Sequence, residues 1–312
     1  MECVNQSQPT HFILVGLSYS PELWLLLLLF FLLIYLLTLC GNLLIILAVA
    51  WEPRLHKPMY WFLCHLSLLD MMVSSVVVPK VVVSFLPGGK AISFEGCVAQ
   101  LFFFHFLGCT ECFLYTVMAY DRCLAICKPL RYSVLMNHRA CLCLAVGTWL
   151  VGSLHSLMET VLTFHLAFGQ NNQVGYIFCD IPAVLKLVCG NTALNEMVTS
   201  VDVGLVAMTC FLLILTSYAY ILSAVLRIRS AEGRRRAFST CVAHVTVVVT
   251  YYVPLVFIYL RPGSQHPMDK VMAVFYTTVT PLLNPIIYTL RNKEMKDAVM
   301  RLGGKKLPRS EL

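Results

Sequence analysis

The sequence predicts an all-α membrane protein, a seven-transmembrane helix bundle with a short cytoplasmic amphipathic helix. Three observations lead there. Apolar residues make up 59% of the 312 residues and charged residues only 12%, with a mean hydropathy of +0.77, too apolar a balance for an ordinary water-soluble domain. The apolar residues gather in seven long stretches. The basic residues collect at alternate ends of those stretches, which is the pattern left when Lys and Arg are retained on the cytoplasmic side.

A helix needs about 20 apolar residues to cross roughly 30 Å of hydrocarbon. The stretches 23–50, 59–85, 97–126, 140–164, 194–226, 237–260 and 271–290 all qualify. The joints hold the turn formers and charges: WEPRLHKP, LPGGKAISFEG, CKPLRYSVLMNHR, the long GQNNQVGYIFCD, RIRSAEGRRR and RPGSQHPMDK. After Leu290, RNKEMKDAVMRLGGKK places Met295, Val299 and Leu302 on one helical face between charged ones, which predicts an interfacial helix along the inner leaflet. The chain thus divides into an outer tail at 1–22, the bundle at 23–290, and the amphipathic helix with a cytoplasmic tail at 291–312. The first residues lack the pattern of a cleavable leader, so the first span is expected to serve as the insertion signal.

With the amino terminus outside, only Lys80, Lys90, Lys186, Arg261 and Lys270 of the 23 Lys and Arg fall on the outer side. This asymmetry accounts for the net charge of +7 without a nucleic-acid partner, and it directs the basic inner face toward anionic membrane lipids. The expected location is the plasma membrane, multi-pass, carboxyl terminus cytoplasmic. Asn5-Gln6-Ser7 is an N-x-S acceptor on the expected outer side, which makes Asn5 a glycosylation candidate.

Most of the 14 cysteines lie within spans, where the side chain packs as a small hydrophobe. Cys97 and Cys179 instead face an oxidising compartment from the outer start of the third span and from the second outer loop, and they are expected to be bonded. Cys109-x-x-Cys112 and Cys241-x-x-His244 have metal-like spacing but no matching second pair, and are read as packing residues.

An ionisable group within hydrocarbon costs about 2.5–3.5 kcal/mol on insertion scales, so each is a functional candidate. Here they are Asp70, Glu111, Glu159 and Asp202, in the second to fifth spans. Glu111 and Arg122 are eleven residues apart and point to the same side of one helix. Asp70 and Glu111, at similar depth, repel unless one is protonated or a cation lies between them. A sodium ion is expected there, and no other cofactor or metal.

Several strings carry a resemblance to a known family: Gly41-Asn42, Pro58-Met59-Tyr60, Leu66-Ser67-Leu68-Leu69-Asp70, MAYDRCLAICKPLRY from Met118, Ser217-Tyr218, RAFSTCVAH from Arg236, and PLLNPIIYTLRNKEMKDA from Pro281. In order and over nearly the whole chain, they resemble rhodopsin-like (class A) G protein-coupled receptors, and within these the olfactory receptors. The resemblance implies a receptor that binds a small volatile odorant and activates a heterotrimeric stimulatory, olfactory-type G protein, raising cyclic AMP. It also implies an inner switch at Asp121, Arg122, Tyr218, His244, Asn284, Pro285 and Tyr288, in which Arg122 leaves Asp121 to meet Tyr218 and Tyr288 as the sixth span swings outward. A charge pair at the inner end of a span is a bistable element that a partner helix can bias, and Pro285 removes a backbone donor and permits a kink. The chain departs from the family at Cys123, at Lys128 and at Tyr251-Tyr252-Val253. The loop cysteine that usually pairs with Cys189 is also missing, so Cys189 is expected to be a free thiol.

On the third span Phe104, His105, Gly108, Cys109 and Cys112 share one face near the outer surface, and they are the expected ligand wall. Glu159 on the fourth span, Asp202, Val203 and Val206 on the fifth, Tyr252, Leu255, Val256 and Tyr259 on the sixth, and Thr277 on the seventh complete it. A mostly apolar cavity with a few polar anchors suits a small, partly hydrophobic molecule. If Glu159 and Asp202 face it, they favour a hydroxyl, phenol or amine donor; alternatively they pair with His155 or His105.

Other function classes leave specific traces that the chain lacks. A transporter would show paired, interrupted halves. An opsin-like photoreceptor would carry a lysine in 271–290, and an intramembrane enzyme a motif such as H-E-x-x-H or G-x-S-x-G. The chain is therefore read as a receptor and not an enzyme.

Overall fold

The computed structural model describes residues 9–16, 21–228, 230–259 and 267–303. Seven helices among them are long and apolar enough to cross a membrane: α1 Trp24–Trp51, α2 Pro58–Ser84, α3 Phe94–Cys127, α4 His138–Phe164, α5 Ala193–Leu226, α6 Ala231–Tyr259 and α7 Met268–Arg291. The short helix α8, Lys293–Leu302, follows. Spans and helices agree closely. The largest difference is α6, which continues inward from the expected 237 to Ala231, because Glu232, Arg234 and Arg235 sustain a helix beyond the hydrocarbon.

Each span divides its residues between lipid and bundle. On α1, Phe31, Ile34, Thr38, Asn42, Ile45 and Val49 are buried at intervals of three or four, while Leu26, Leu29 and Leu33 are more than half exposed. Such a leucine stripe is an aggregation liability in water and a lipid contact in a bilayer. In α8 the Asn292 side chain caps the first turn by accepting from Met295 N. Met295 and Ala298 are buried against the bundle, as an amphipathic helix at the interface requires.

Three spans contain an internal proline: Pro79, Pro254 and Pro285. Proline has no N–H, so the carbonyl four residues earlier loses its intrahelical donor. The bundle resupplies two of these from neighbouring helices. Asn42 Nδ2 donates to Pro281 O at 3.1 Å, and Thr280 Oγ1 donates to Thr250 O at 3.4 Å. The proline turns of α6 and α7 are thereby tied to their neighbours.

Gly152 lets α4 approach α3. A Cβ there would fall 2.2 Å from Thr110 Oγ1 and 3.0 Å from Phe106 O. Gly147, on the same helix, has nothing within 4 Å. Overpacking of this kind costs about 1–3 kcal/mol, so Gly152→Val is expected to lower the thermal midpoint of the purified protein by several degrees. Gly147→Val is the matched control and should leave it nearly unchanged; equal midpoints would contradict the close α3–α4 contact.

At the end from which α3 starts, a small sheet covers the bundle. Strand β1, His11–Leu14, pairs antiparallel with β2, Ala91–Ser93, and parallel with β3, Gln173–Val174. The tail expected over 1–22 thus carries a strand, whose Phe12 and Leu14 are buried inward. Cys97 and Cys179 are disulfide-bonded with their Cα atoms 5.5 Å apart, which pins the second outer loop to α3. Gln100 strengthens the attachment, its Oε1 accepting from Cys179 N at 2.9 Å. Cys189, expected to be a free thiol, is also disulfide-bonded. The loop cysteine that usually pairs with it in the family is missing here, yet Cys189 is not left unpaired. The glycosylation candidate Asn5 lies outside the described residues.

Candidate functional site

Beneath the outer loop lies a small cavity of about 40 Å³, room for about three waters at roughly 10–15 Å³ each. Helix α3 supplies Phe104, His105, Gly108, Cys109 and Cys112, the face read from the sequence, and α5 supplies Val203 and Val206 together with Ala207. Leu255 and Tyr259 come from α6 as expected, with Tyr251 added. His155 of α4 and Tyr276 of α7 close the remaining sides.

Five expected wall residues are placed elsewhere. Val256 is 44% exposed, because successive helix positions turn about 100° and Leu255 takes the inward direction. Thr277 is buried but its hydroxyl donates to Ala273 O at 2.8 Å. A π-helical turn, Phe275–Val279, widens α7 here, and Tyr276 rather than Thr277 reaches the cavity. Tyr252 stands behind Cys112, its Oη 3.0 Å from Sγ. Glu159 and Asp202 stand behind His155, whose Nε2 is 2.7 Å from Asp202 Oδ2. Thr199 Oγ1 donates to Glu159 Oε2 at 3.0 Å.

Two of the lining side chains, His105 and Tyr259, are held from the loop by a residue that sequence reasoning missed. Asp180, in the second outer loop next to Cys179, is fully buried. Its carboxylate accepts from Tyr259 Oη at 3.0 and 3.2 Å and from its neighbour Ile181 N at 2.9 Å. His105 Nε2 lies 3.0 Å from Oδ1. One loop carboxylate thus latches α3 and α6 together over the cavity. The available signal was a lone acid in the apolar run YIFCDIP.

Below the cavity, polar groups at mid-span are joined. Asn284 Nδ2 donates to both oxygens of Asp70, at 2.9 and 3.0 Å, and lies 3.3 Å from Tyr115 Oη. Tyr115 in turn donates to Glu111 Oε1 at 2.8 Å. The expected sodium pair, Asp70 and Glu111, is therefore linked through Tyr115 and Asn284. Ser74 Oγ, Asn42 Oδ1 and Asn284 Oδ1 are buried without hydrogen-bond partners. Carboxylates with spare neutral oxygens form a donor set that fits a hard cation.

The geometry is that of a membrane bundle with a covered cavity at one end, and comparison with known sequences decides its kind. A family model described as olfactory receptor matches residues 31–306. The chain belongs to the olfactory receptor family. It is 64% identical to human olfactory receptor 10G6 over 97% of this chain and 91% of that protein. It is 60% identical to human olfactory receptor 10G2 over 94% and 95%, and 56% identical to human olfactory receptor 10G4 over 96% and 97%. This olfactory receptor is thus a class A G protein-coupled receptor and a multi-pass membrane protein, not an enzyme.

The receptor's other end holds an open cleft of about 900 Å³ whose lining includes Asp121, Arg122, Tyr132, Arg235 and Arg291. The ion pairs found among the described residues do not join Asp121 to Arg122. Asp121 Oδ1 instead accepts from Tyr132 Oη at 2.7 Å. Burial, followed by the charge of Asp121, pushes the Tyr132 phenol above its ordinary value, so at neutral pH it remains the donor. Tyr218 Oη lies 2.7 Å from His244 Nδ1, joining α5 to α6. The Tyr288 hydroxyl is buried without a hydrogen-bond partner. Of the expected switch residues, Tyr218, His244 and Tyr288 therefore gather near Arg122, which is buried and not paired with Asp121, whereas Asn284 belongs to the mid-span network.

Proposed function

We propose that this chain is an odorant receptor in the plasma membrane, amino terminus outside, that binds a small volatile molecule in the cavity under Asp180 and activates a stimulatory G protein, raising cyclic AMP. The observation that carries the reading is a nearly filled, mostly apolar cavity bounded by five spans, two of whose lining residues, His105 and Tyr259, are held by a loop carboxylate. A ligand entering it must widen it, and widening moves Tyr251, Leu255 and Tyr259 of α6. Displacement at one end of α6 reaches His244 and Tyr218 at the other, near Arg122, which gives the differential contacts a conformational switch needs. His155, whose Nδ1 is buried without a hydrogen-bond partner, favours a ligand carrying a hydroxyl, phenol or amine. The basic inner face and α8 meet anionic lipid. Sodium between Asp70 and Glu111 would damp signalling, and agonist potency should then depend on sodium concentration.

The test is a cyclic AMP reporter screen of the expressed receptor against chemically diverse volatiles. Wild type is expected to respond to a subset of hydroxyl or phenol odorants. Arg122→Ala, displayed at the surface, is expected to lose more than about 90% of the response, because Arg122 is the one buried cation that α3 contributes to the lining of the cleft. An undiminished response in that variant would contradict the assigned switch.

A further inference from the structure

We propose that His155, Glu159 and Asp202 form a binding site for a divalent transition-metal ion of the zinc type, set into the α4–α5 wall of the cavity. His155 and Glu159 are one turn apart on α4 and so share a face, and Asp202 approaches from α5. One ligand atom from each residue lies within 4.8 Å of the other two. Zinc holds nitrogen and oxygen ligands at about 2.0–2.2 Å, so closing on one ion takes side-chain shifts of about 1 Å.

The cluster is unsatisfied as it stands. Both ring nitrogens of His155, Glu159 Oε1 and Asp202 Oδ2 are buried atoms with no hydrogen-bond partner. His155 Nε2 and Asp202 Oδ2 are 2.7 Å apart, a contact that uses one ring nitrogen and one carboxylate oxygen only. A simple His–Asp pair leaves Glu159, which is 0% exposed, with a second carboxylate, Asp202, as its charged neighbour. A cation serves all three side chains at once. It also neutralises the formal charge of two neighbouring carboxylates in a low-dielectric interior, where uncompensated charge is most expensive.

The donor set suits such an ion. Imidazole with two carboxylates binds zinc-type metals, and three protein ligands leave a fourth position open. Thr199 holds Glu159 Oε2 by a 3.0 Å hydrogen bond, the kind of outer contact that orients a ligating carboxylate. Because His155 lines the cavity, an ion held by it sits beside the ligand space. Resting on the odorant reading, this makes the oxygen of a hydroxyl or phenol ligand the fourth donor.

Metal binding is tested on the full-length receptor in lipid nanodiscs, without odorant or G protein, so a failed odorant screen leaves the measurement intact. Co²⁺ serves as the spectroscopic probe and Zn²⁺ as competitor. The expected result is visible d–d absorption at one equivalent, removed by Zn²⁺. Asp202→Asn and Glu159→Gln should each weaken binding by more than about tenfold, at least the loss typical of outer-contact changes. Asp202→His, which supplies a ligand but ends the charge pair, should retain the bands. Thr199→Val removes only the orienting hydrogen bond and should weaken binding about tenfold, covering the case in which an amide variant fails to fold. No bands in wild type, or wild-type affinity in Thr199→Val and in every folded amide variant, overturns the site.

Discussion

Asp180→Ala is expected to lower the receptor's thermal midpoint by several degrees and to remove most of its agonist potency. The carboxylate is fully buried and serves Tyr259, His105 and its own helix turn together. Deleting it strands the Tyr259 hydroxyl and the His105 ring, at about 1–3 kcal/mol for each unsatisfied buried group. The disulfide from Cys179 to Cys97 still tethers the loop, so the loop stays near the bundle but no longer holds α3 and α6 over the cavity. Ligand escape then quickens, and potency falls through the dissociation rate. Asp180→Asn keeps one acceptor oxygen and should sit between wild type and alanine. Thermal unfolding of purified variants, with agonist dose–response in cells, checks both; an alanine variant as stable and as sensitive as wild type would remove the latch from the account.

The spans, the inner helix and the Cys97–Cys179 bridge were legible because lipid and an oxidising compartment impose simple rules on long apolar runs and outer cysteines. The α3 wall was legible too, since an undistorted helix repeats its faces faithfully. What was hidden depends on local departures from that regularity. The π turn at Phe275–Val279 brings Tyr276 to the cavity in place of Thr277, and no propensity in FYTTV announces the extra residue in the turn. Asp180 was hidden because its partners, His105 and Tyr259, are 75 and 79 residues away. A loop acid reads as solvated until the fold buries it. The bond of Cys189 was hidden because the loop cysteine that usually pairs with it is absent from this chain. Glu159 and Asp202 were correctly singled out as costly, and one of the two readings offered, pairing with His155, describes the Asp202 contact.

The second large effect separates two neighbours on α6. Leu255 lines the cavity and is 8% exposed, whereas Val256 is 44% exposed on the lipid face. Tryptophan at 255 has only about 40 Å³ to enter and displaces any guest; tryptophan at 256 extends into lipid, where an aromatic side chain is tolerated. With an agonist from the screen in hand, the most direct measurement is the dose–response of Leu255→Trp beside Val256→Trp at matched surface display. The account predicts loss of response, or potency at least about 100-fold weaker, for Leu255→Trp, and potency within about threefold of wild type for Val256→Trp. Unchanged potency in Leu255→Trp, or equal losses in the two, would place the odorant somewhere other than this cavity.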